Sequence, residues 1–194
     1  MEVRPLCNSI DEISLQDERK FKLTITEDTL NDAQREEFVF SPIKKGLQLN
    51  RDYIKELSLR EIMSVIFVLA NMDESSLSDD AKKIKEGNRG FLLSMVAERL
   101  KNNTFYVVCT KNNDVPITMS QNGMIFTFVY SSKEYAETAI NGDVNLLCRE
   151  ISSQKTEFWQ LLAQNGISQI VVDNSPMTVT VQGCYMYSIA TVQE

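Results

Sequence analysis

The stretch Gly-Met-Ile-Phe-Thr-Phe-Val-Tyr-Ser-Ser-Lys-Glu-Tyr-Ala-Glu-Thr-Ala-Ile, residues 123–140, decides the fold. Its first eight residues are rich in β-branched and aromatic side chains and carry no charge, which predicts a buried strand. Ser131 and, three residues later, Glu134 match a capping box at the start of a helix. Apolar residues then recur at helical spacing: Tyr135, Ala136, Ala139 and Ile140. A strand is therefore expected to lead into a helix through almost no loop.

The flanking segments alternate in the same way. Asn122-Gly123 predicts a tight hairpin that returns the chain antiparallel into residues 124–130. Further strands are expected at residues 104–110, 115–119, 144–148, 168–172 and 177–181, and helices at 133–141 and 155–164. The last segment, 184–192, is compatible with either strand or helix. We expect an α/β (α+β) fold, a mixed β-sheet flanked by helices, with right-handed crossovers between its parallel strands.

Charge is unevenly distributed along the 194 residues. Residues 1–100 hold 19 acidic and 15 basic side chains, whereas residues 101–194 hold 8 and 5. The step coincides with a polar stretch near residues 73–90. We therefore expect a charged N-terminal extension or subdomain at 1–89 and an α/β domain at 90–194.

Three patterns organise the first half. Residues 19–27 alternate apolar and polar side chains, as in a half-buried strand. Residues 57–72 predict a buried helix, with Ser58 and Glu61 as its capping box. Residues 79–86 predict one or two helical turns that end at Gly87, followed by a separate apolar helical stripe at 91–100.

The composition excludes several function classes. A net charge of −7 and a pI near 4.8 are unsuited to nucleic acid or to anionic lipid, both of which recruit clustered Lys and Arg. The N-terminal residues lack the basic start and apolar core of a signal peptide, and the longest apolar run, about 62–70, is too short to span a bilayer. We expect a cytoplasmic protein that binds neither nucleic acid nor membrane.

The chain contains no histidine, which removes the commonest general base and all His-containing zinc sites. Its four cysteines, Cys7, Cys109, Cys148 and Cys184, form no Cys-x-x-Cys pair. Cys109 and Cys148 lie in apolar runs and are interpreted as reduced, buried small hydrophobes. We expect no metal site, no cofactor and no catalytic residue.

Five residues form a candidate ligand-binding site: Tyr130, Ser131, Ser132, Asp173 and Asn174. Asp173 and Asn174 follow a predicted strand, where open α/β sheets bind ligands, but the same pair also predicts an Asx-turn. Ser131 and Ser132 precede a helix, where free N–H groups can hold an anion, but ordinary helix capping explains them as well. Near the C-terminus, Trp159 is interpreted as a core residue, and Tyr185 and Tyr187 are left open between core and surface.

About residues 90–181 resemble the N-terminal domain of the SseB-like (enhanced serine sensitivity protein) family of bacteria. The resemblance is carried by a helix leading into a strand at 105–108, by Phe128-Val129-Tyr130-Ser131-Ser132-Lys133-Glu134, and by the strand end Ile170-Val171-Val172-Asp173-Asn174-Ser175-Pro176. One extra residue separates Asn174 from Pro176 relative to the family's Val-x-Asn-Pro pattern. The resemblance implies an α/β domain and no established active site.

Three functions remain open. The first is a non-catalytic protein-interaction or regulatory domain that binds another protein or a second copy of itself, through a sheet edge or through Tyr-Met-Tyr at 185–187. The second is a small-molecule-binding module at the strand ends near Asp173 and Asn174. The third is a hydrolase or transferase that uses carboxylates or a cysteine of lowered pKa, which the absence of histidine disfavours.

Overall fold

A computed structural model of the chain describes residues 43, 45, 48, 49, 51–112, 114–175 and 177–190. These residues form six helices and six strands. In chain order they are α1 (Arg51–Glu56), α2 (Leu59–Ala70), α3 (Asp79–Asn102), β1 (Phe105–Thr110), β2 (Thr118–Gln121), β3 (Met124–Tyr130), α4 (Lys133–Ile140), β4 (Leu146–Ile151), α5 (Lys155–Gln164), β5 (Gln169–Val172), β6 (Thr178–Thr180) and α6 (Val181–Ile189). The expected strand at 19–27 lies outside the described residues.

The strands form one mixed sheet in the order β4-β1-β3-β5-β6, with β2 paired to β3. Strands β3 and β5 are parallel, with Phe128 opposite Val171, and the other neighbouring pairs are antiparallel. The predicted class, an α/β (α+β) fold with a mixed sheet flanked by helices, is confirmed.

The hairpin between β2 and β3 turns at Asn122-Gly123, as predicted. Both residues have positive φ, 48° and 77°, so the turn needs residue types that tolerate the left-handed region. The preceding strand differs from its expected place. It covers Thr118–Gln121, and Pro116, which has no N–H to give to a ladder, makes only an isolated bridge with Cys109.

Helices cover both faces of the sheet. Val108 on β1 packs in a cluster with Phe128 and Ala136, which places α4 on that face. Phe105 lies three residues from Val108 and so points to the opposite face, where its ring stacks on Trp159 of α5 at 5.1 Å between centroids. Trp159 is 1% exposed, which confirms its interpretation as a core residue.

Helix α2 is the buried helix predicted at 57–72. Ser58 caps it, and the expected capping box is present: the Glu61 N–H donates to Ser58 Oγ (3.2 Å) and the Ser58 N–H donates to a Glu61 carboxylate oxygen (2.6 Å). Seven of its twelve residues are buried, so apolar side chains nearly all round the helix are packed, as expected.

The expectation that a helix ends at Gly87 is wrong. Helix α3 continues through Gly87 and Gly90 to Asn102 as one element of 24 residues. Leu92, Val96 and Leu100 are fully or nearly fully buried, and their burial offsets the low helix propensity of the two glycines. The described residues divide into two compact units, and the division falls within this helix, between Val96 and Ala97. The domain boundary predicted at 89/90 falls in the same helix.

Two elements of the second half also differ from the sequence prediction. Strand β4 begins at Leu146 rather than 144 and extends to Ile151. The undecided C-terminal segment is helix α6, which begins at Val181, before Gly183 instead of after it. Thr180 caps this helix by accepting a hydrogen bond from the Gly183 N–H (3.1 Å). A Cβ at Gly183 would lie 2.8 Å from Thr180 Oγ1, so glycine is required here by the close approach of the cap.

Candidate functional site

The candidate residues lie where the two parallel strands end. Val129 of β3 lies opposite Val172 of β5 in the parallel register. The segments that follow the two strands therefore emerge side by side, at the C-terminal ends of these strands. Ser131 directly follows β3 and Asp173 directly follows β5. The Asp173 N–H donates to the Val129 carbonyl at 2.9 Å and extends the ladder past the last residue of β5.

The carboxylate of Asp173 is turned toward β3 and is engaged by Ser131. One carboxylate oxygen accepts the Ser131 main-chain N–H at 2.7 Å, and the other accepts the Ser131 hydroxyl at 2.7 Å. Asp173 is only 7% exposed. Burial of a carboxylate is costly unless it is hydrogen-bonded, and these two bonds satisfy both oxygens.

A tight turn orients these groups. The Ser175 N–H donates to the Val172 carbonyl at 2.9 Å, and Asp173 and Asn174 between them have φ of 49° and 56°, the pattern of a type I′ turn. The main chain therefore closes this turn. The expected Asx-turn is wrong for Asp173, whose carboxylate bonds to Ser131 across the strands.

Tyr130 joins the same group. Its hydroxyl donates to Asn174 Oδ1 at 3.2 Å, across the boundary between the β3 end and the β5 turn. The structure therefore brings four of the five candidate residues together: Tyr130, Ser131, Asp173 and Asn174. We call this group the strand-end cluster.

Ser132 serves a different purpose. It is the N-cap of α4, and its hydroxyl accepts the Tyr135 N–H at 3.2 Å. The capping box expected between Ser131 and Glu134 is therefore wrong by one residue. The reason is competition: the Ser131 hydroxyl is held by the buried Asp173 carboxylate, and the next serine takes the cap.

The strand-end cluster has little catalytic capacity. Its carboxylate is an acceptor for two short hydrogen bonds, and no histidine exists in the chain to relay a proton from the serine hydroxyl. Within the part of the chain that the structure describes, no group of three or more Cys, Asp or Glu side chains is placed to hold a metal ion. The geometry supports a structural link between β3 and β5.

The described thiols are poor nucleophiles. Burial raises the pKa of Cys109 to about 11 and that of Cys184 to about 12, and it also raises the pKa of Cys148. A thiol attacks as its thiolate, so a raised pKa lowers its reactivity near neutral pH. Cys109 is a buried free cysteine, as predicted, whereas Cys148 is only half-buried. Cys7 lies outside the described residues.

Sequence reasoning missed part of one surface on α6. Met186 and Ile189 are 52% and 47% exposed, and residues three apart lie side by side on a helix. Tyr187 is 37% exposed, whereas Tyr185 turns toward α5, where its hydroxyl accepts a hydrogen bond from Gln160 Nε2 at 3.1 Å. We call Met186, Tyr187 and Ile189 the α6 surface. The spacing of Met186 and Ile189 was visible in the sequence, but it carries meaning only once the segment is known to be helical.

The edge strands of the sheet are less suited to pairing with another chain than the sequence predicts. The edge strand β4 carries Arg149 and Glu150, and Arg149 forms an ion pair with Asp114. The strand at the other end of the order, β6, has three residues, and β2, which pairs only with β3, has four. Charge and short length are the usual protections of an edge against pairing with another chain.

No described helix is long and apolar enough to cross a lipid bilayer. The comparison with protein-family models finds no match to the chain, and the comparison with curated proteins finds none either.

Proposed function

We propose that the chain is a non-catalytic protein-interaction or regulatory domain that contacts its partner through the α6 surface. The observation that carries the proposal is the composition of α6: nine residues, Val-Gln-Gly-Cys-Tyr-Met-Tyr-Ser-Ile, without a single charge. Each of the other described helices carries charged side chains.

The exposed part of α6 suits an apolar contact. An uncharged helix with Met, Tyr and Ile at its surface resembles the centre of a protein interface, where charged residues are depleted and Tyr and Met are enriched. The chain as a whole has a net charge of −7, so a neutral face is where a second acidic surface meets the least repulsion. The partner we propose is a protein with an apolar helix or groove, with a second copy of this chain as one form of it.

The strand-end cluster supports the same proposal because its polar groups bond to one another. Asp173 is the residue best placed to hold a ligand, but both of its carboxylate oxygens accept hydrogen bonds from Ser131. The described thiols have raised pKa values, which disfavours nucleophilic catalysis by cysteine. We further propose a cytoplasmic location, and a relation of residues 90–181 to the SseB-like family that rests on the order of the elements.

A matched pair of variants tests the proposal. Met186→Asp with Ile189→Asp places charge on the α6 surface, and Val144→Asp does the same at a residue that is 75% exposed elsewhere. The full-length proteins are compared by light scattering, for self-association, and by affinity capture from native lysate. We expect the wild type and Val144→Asp to retain the same stoichiometric contact and the double variant to lose it. Equal behaviour of all three proteins would contradict the proposal.

A small-molecule-binding module remains a second candidate because of one observation: four candidate residues converge at the ends of parallel strands, the usual ligand position in open α/β sheets. A metabolite that binds there would raise the melting temperature of the wild type. It would raise the melting temperature of Asn174→Ala less, because this variant removes the Asn174 side chain, which bonds to the Tyr130 hydroxyl within the strand-end cluster.

A further inference from the structure

The buried positions of α3 are interrupted in their middle by polar residues. Ala81, Lys85, Asn88 and Leu92 follow one another at spacings of four, three and four, which places them on one face of the helix, and all four are buried. Ala81 and Leu92 are apolar, whereas Lys85 and Asn88 are not. The apolar stripe that would otherwise anchor the helix is therefore absent for its central turns.

The same segment contains buried polar atoms without a partner. Asn88 is 7% exposed, and although its Oδ1 accepts the Leu49 N–H at 3.4 Å, no described residue accepts a hydrogen bond from its Nδ2. The Nε of the next residue, Arg89, is buried and lacks an acceptor among the described residues too. A buried donor without an acceptor loses its hydration without compensation, which favours any conformation that returns the donor to water.

The opposite face of these turns is occupied by Gly87 and Gly90. Both are exposed, and a Cβ built on either would meet no atom within 4 Å, so neither glycine is required by packing. Glycine in a helix interior favours the unfolded conformation because it has the most backbone freedom to regain. Two glycines within four residues make this the least helix-favouring part of α3.

The parts of α3 on either side of these turns are anchored. On the N-terminal side, Lys85 is 3% exposed and its Nζ donates to a Glu74 carboxylate oxygen at 2.5 Å. On the C-terminal side, Leu92 and Val96 are fully buried. The weak segment, Glu86–Gly90, thus lies between two parts of the helix that are held in place.

We propose that Glu86–Gly90 is a conformational hinge, a segment of α3 that opens and re-forms while the helix on either side of it stays folded. The inference is independent of the proposed contact through α6. Three separate features carry it: the polar break in the buried stripe, the unpartnered donors of Asn88 and Arg89, and the two glycines that no contact demands.

Native-state hydrogen exchange, read at individual amides by NMR on the full-length protein, tests the hinge. Local opening exchanges the amides it exposes without global unfolding. We expect the amides of residues 88–91 to exchange at least about tenfold faster than those of residues 82–85 and 96–100 on either side. Protection that falls steadily toward Asp79, with no minimum at 88–91, would indicate ordinary end fraying and would overturn the proposal.

A variant pair supplies the second arm. Gly87→Ala with Gly90→Ala should slow exchange at residues 88–91 by about 25-fold, because each replacement favours the helix by about fivefold. Glu98→Ala is the control: residue 98 is exposed in the same helix, and Glu and Ala have similar helix propensities. This variant should leave the exchange rates at residues 88–91 unchanged. Unaltered exchange at 88–91 in the double variant would overturn the proposal as well.

Discussion

The carboxylate of Asp173 holds Ser131 by two hydrogen bonds, one from the main-chain N–H and one from the hydroxyl, each 2.7 Å long. The two residues lie 42 positions apart in the chain and immediately follow the two parallel strands β3 and β5. Their link continues the pairing of these strands beyond the ladder. The group that most resembled a ligand site in the sequence thus has a structural use.

Replacing Asp173 by Ala should destabilise the protein by about 2–4 kcal/mol. The change removes two charge-assisted hydrogen bonds, leaves the Ser131 N–H without its acceptor, and places Ala at a φ of 49° that Asp tolerates better. Urea denaturation measures the loss. Asp80→Ala, at an exposed surface ion pair, is the control and should change stability by less than about 0.5 kcal/mol. A loss for Asp173→Ala no larger than that of the control would mean that the link carries no stability.

The cap of α4 separates two adjacent serines. Ser132→Ala should cost about 1 kcal/mol, because it removes the acceptor of the Tyr135 N–H, whereas Glu134→Ala should change stability by less than about 0.5 kcal/mol. Thermal or urea unfolding of the two variants provides the comparison. If Glu134→Ala were as costly as Ser132→Ala, a reciprocal capping box would be present after all.

These two serines show where sequence reasoning reaches its limit. Predictions that depend on residues a few positions apart are confirmed. They are the Ser58–Glu61 capping box, the Asn122-Gly123 hairpin and the strand that leads into α4. The predicted capping role of Ser131 is wrong because its partner, Asp173, lies 42 positions away in the sequence, and a single sequence does not reveal such a contact. Candidate site residues were brought together correctly because parallel strand ends must meet, but their use depends on side-chain orientation.

The two helix errors have different causes. Gly87 is a valid stop signal by local propensity, but burial of Leu92, Val96 and Leu100 outweighs it. Gly183 has the same local signal, but it lies beside the Thr180 cap in the first turn of α6. At Gly87 the deciding energy comes from packing that the local pattern does not contain, whereas at Gly183 it comes from a helix cap only three residues away.

Cys109 and Cys184 should resist alkylation in the native protein at about pH 8, well below the pKa values of their thiols. Both are buried, so iodoacetamide lacks access as well as thiolate. Peptide mapping by mass spectrometry after a timed reaction measures the labelling. The same reaction in urea is the control and should label both residues fully. Native labelling of Cys109 at the rate seen in urea would contradict the packing around β1.

The ion pair between Glu74 and Lys85 predicts a dependence of stability on pH. The hydrogen bond from Lys85 and its positive charge hold the pKa of Glu74 below its usual value, which is about 4.3. Because the folded-state pKa is the lower one, this stabilisation is present above about pH 4.3 and is lost as the pH falls through the folded-state pKa.

Glu74→Gln isolates this contribution. We expect the variant to unfold at a lower urea concentration than the wild type at about pH 7, and the gap to be smaller at about pH 3, because protonation of Glu74 as the pH falls removes the ion pair. Glu86→Gln, which removes a surface pair with Arg89, is the control and should show little gap at either pH. A gap for Glu74→Gln that is undiminished at the acidic pH would exclude the ion pair as its source.

The most direct test of the interaction function is photo-crosslinking in the native cell, with a benzophenone amino acid placed at residue 186 of the full-length chain. Met186 is 52% exposed on the uncharged α6 surface, and residue 144, at 75% exposure, provides the control position. The account predicts a discrete adduct of one partner protein, or of a second copy of the chain, from position 186 and none of comparable yield from position 144. No adduct from position 186, or the same adducts from both positions, would contradict it.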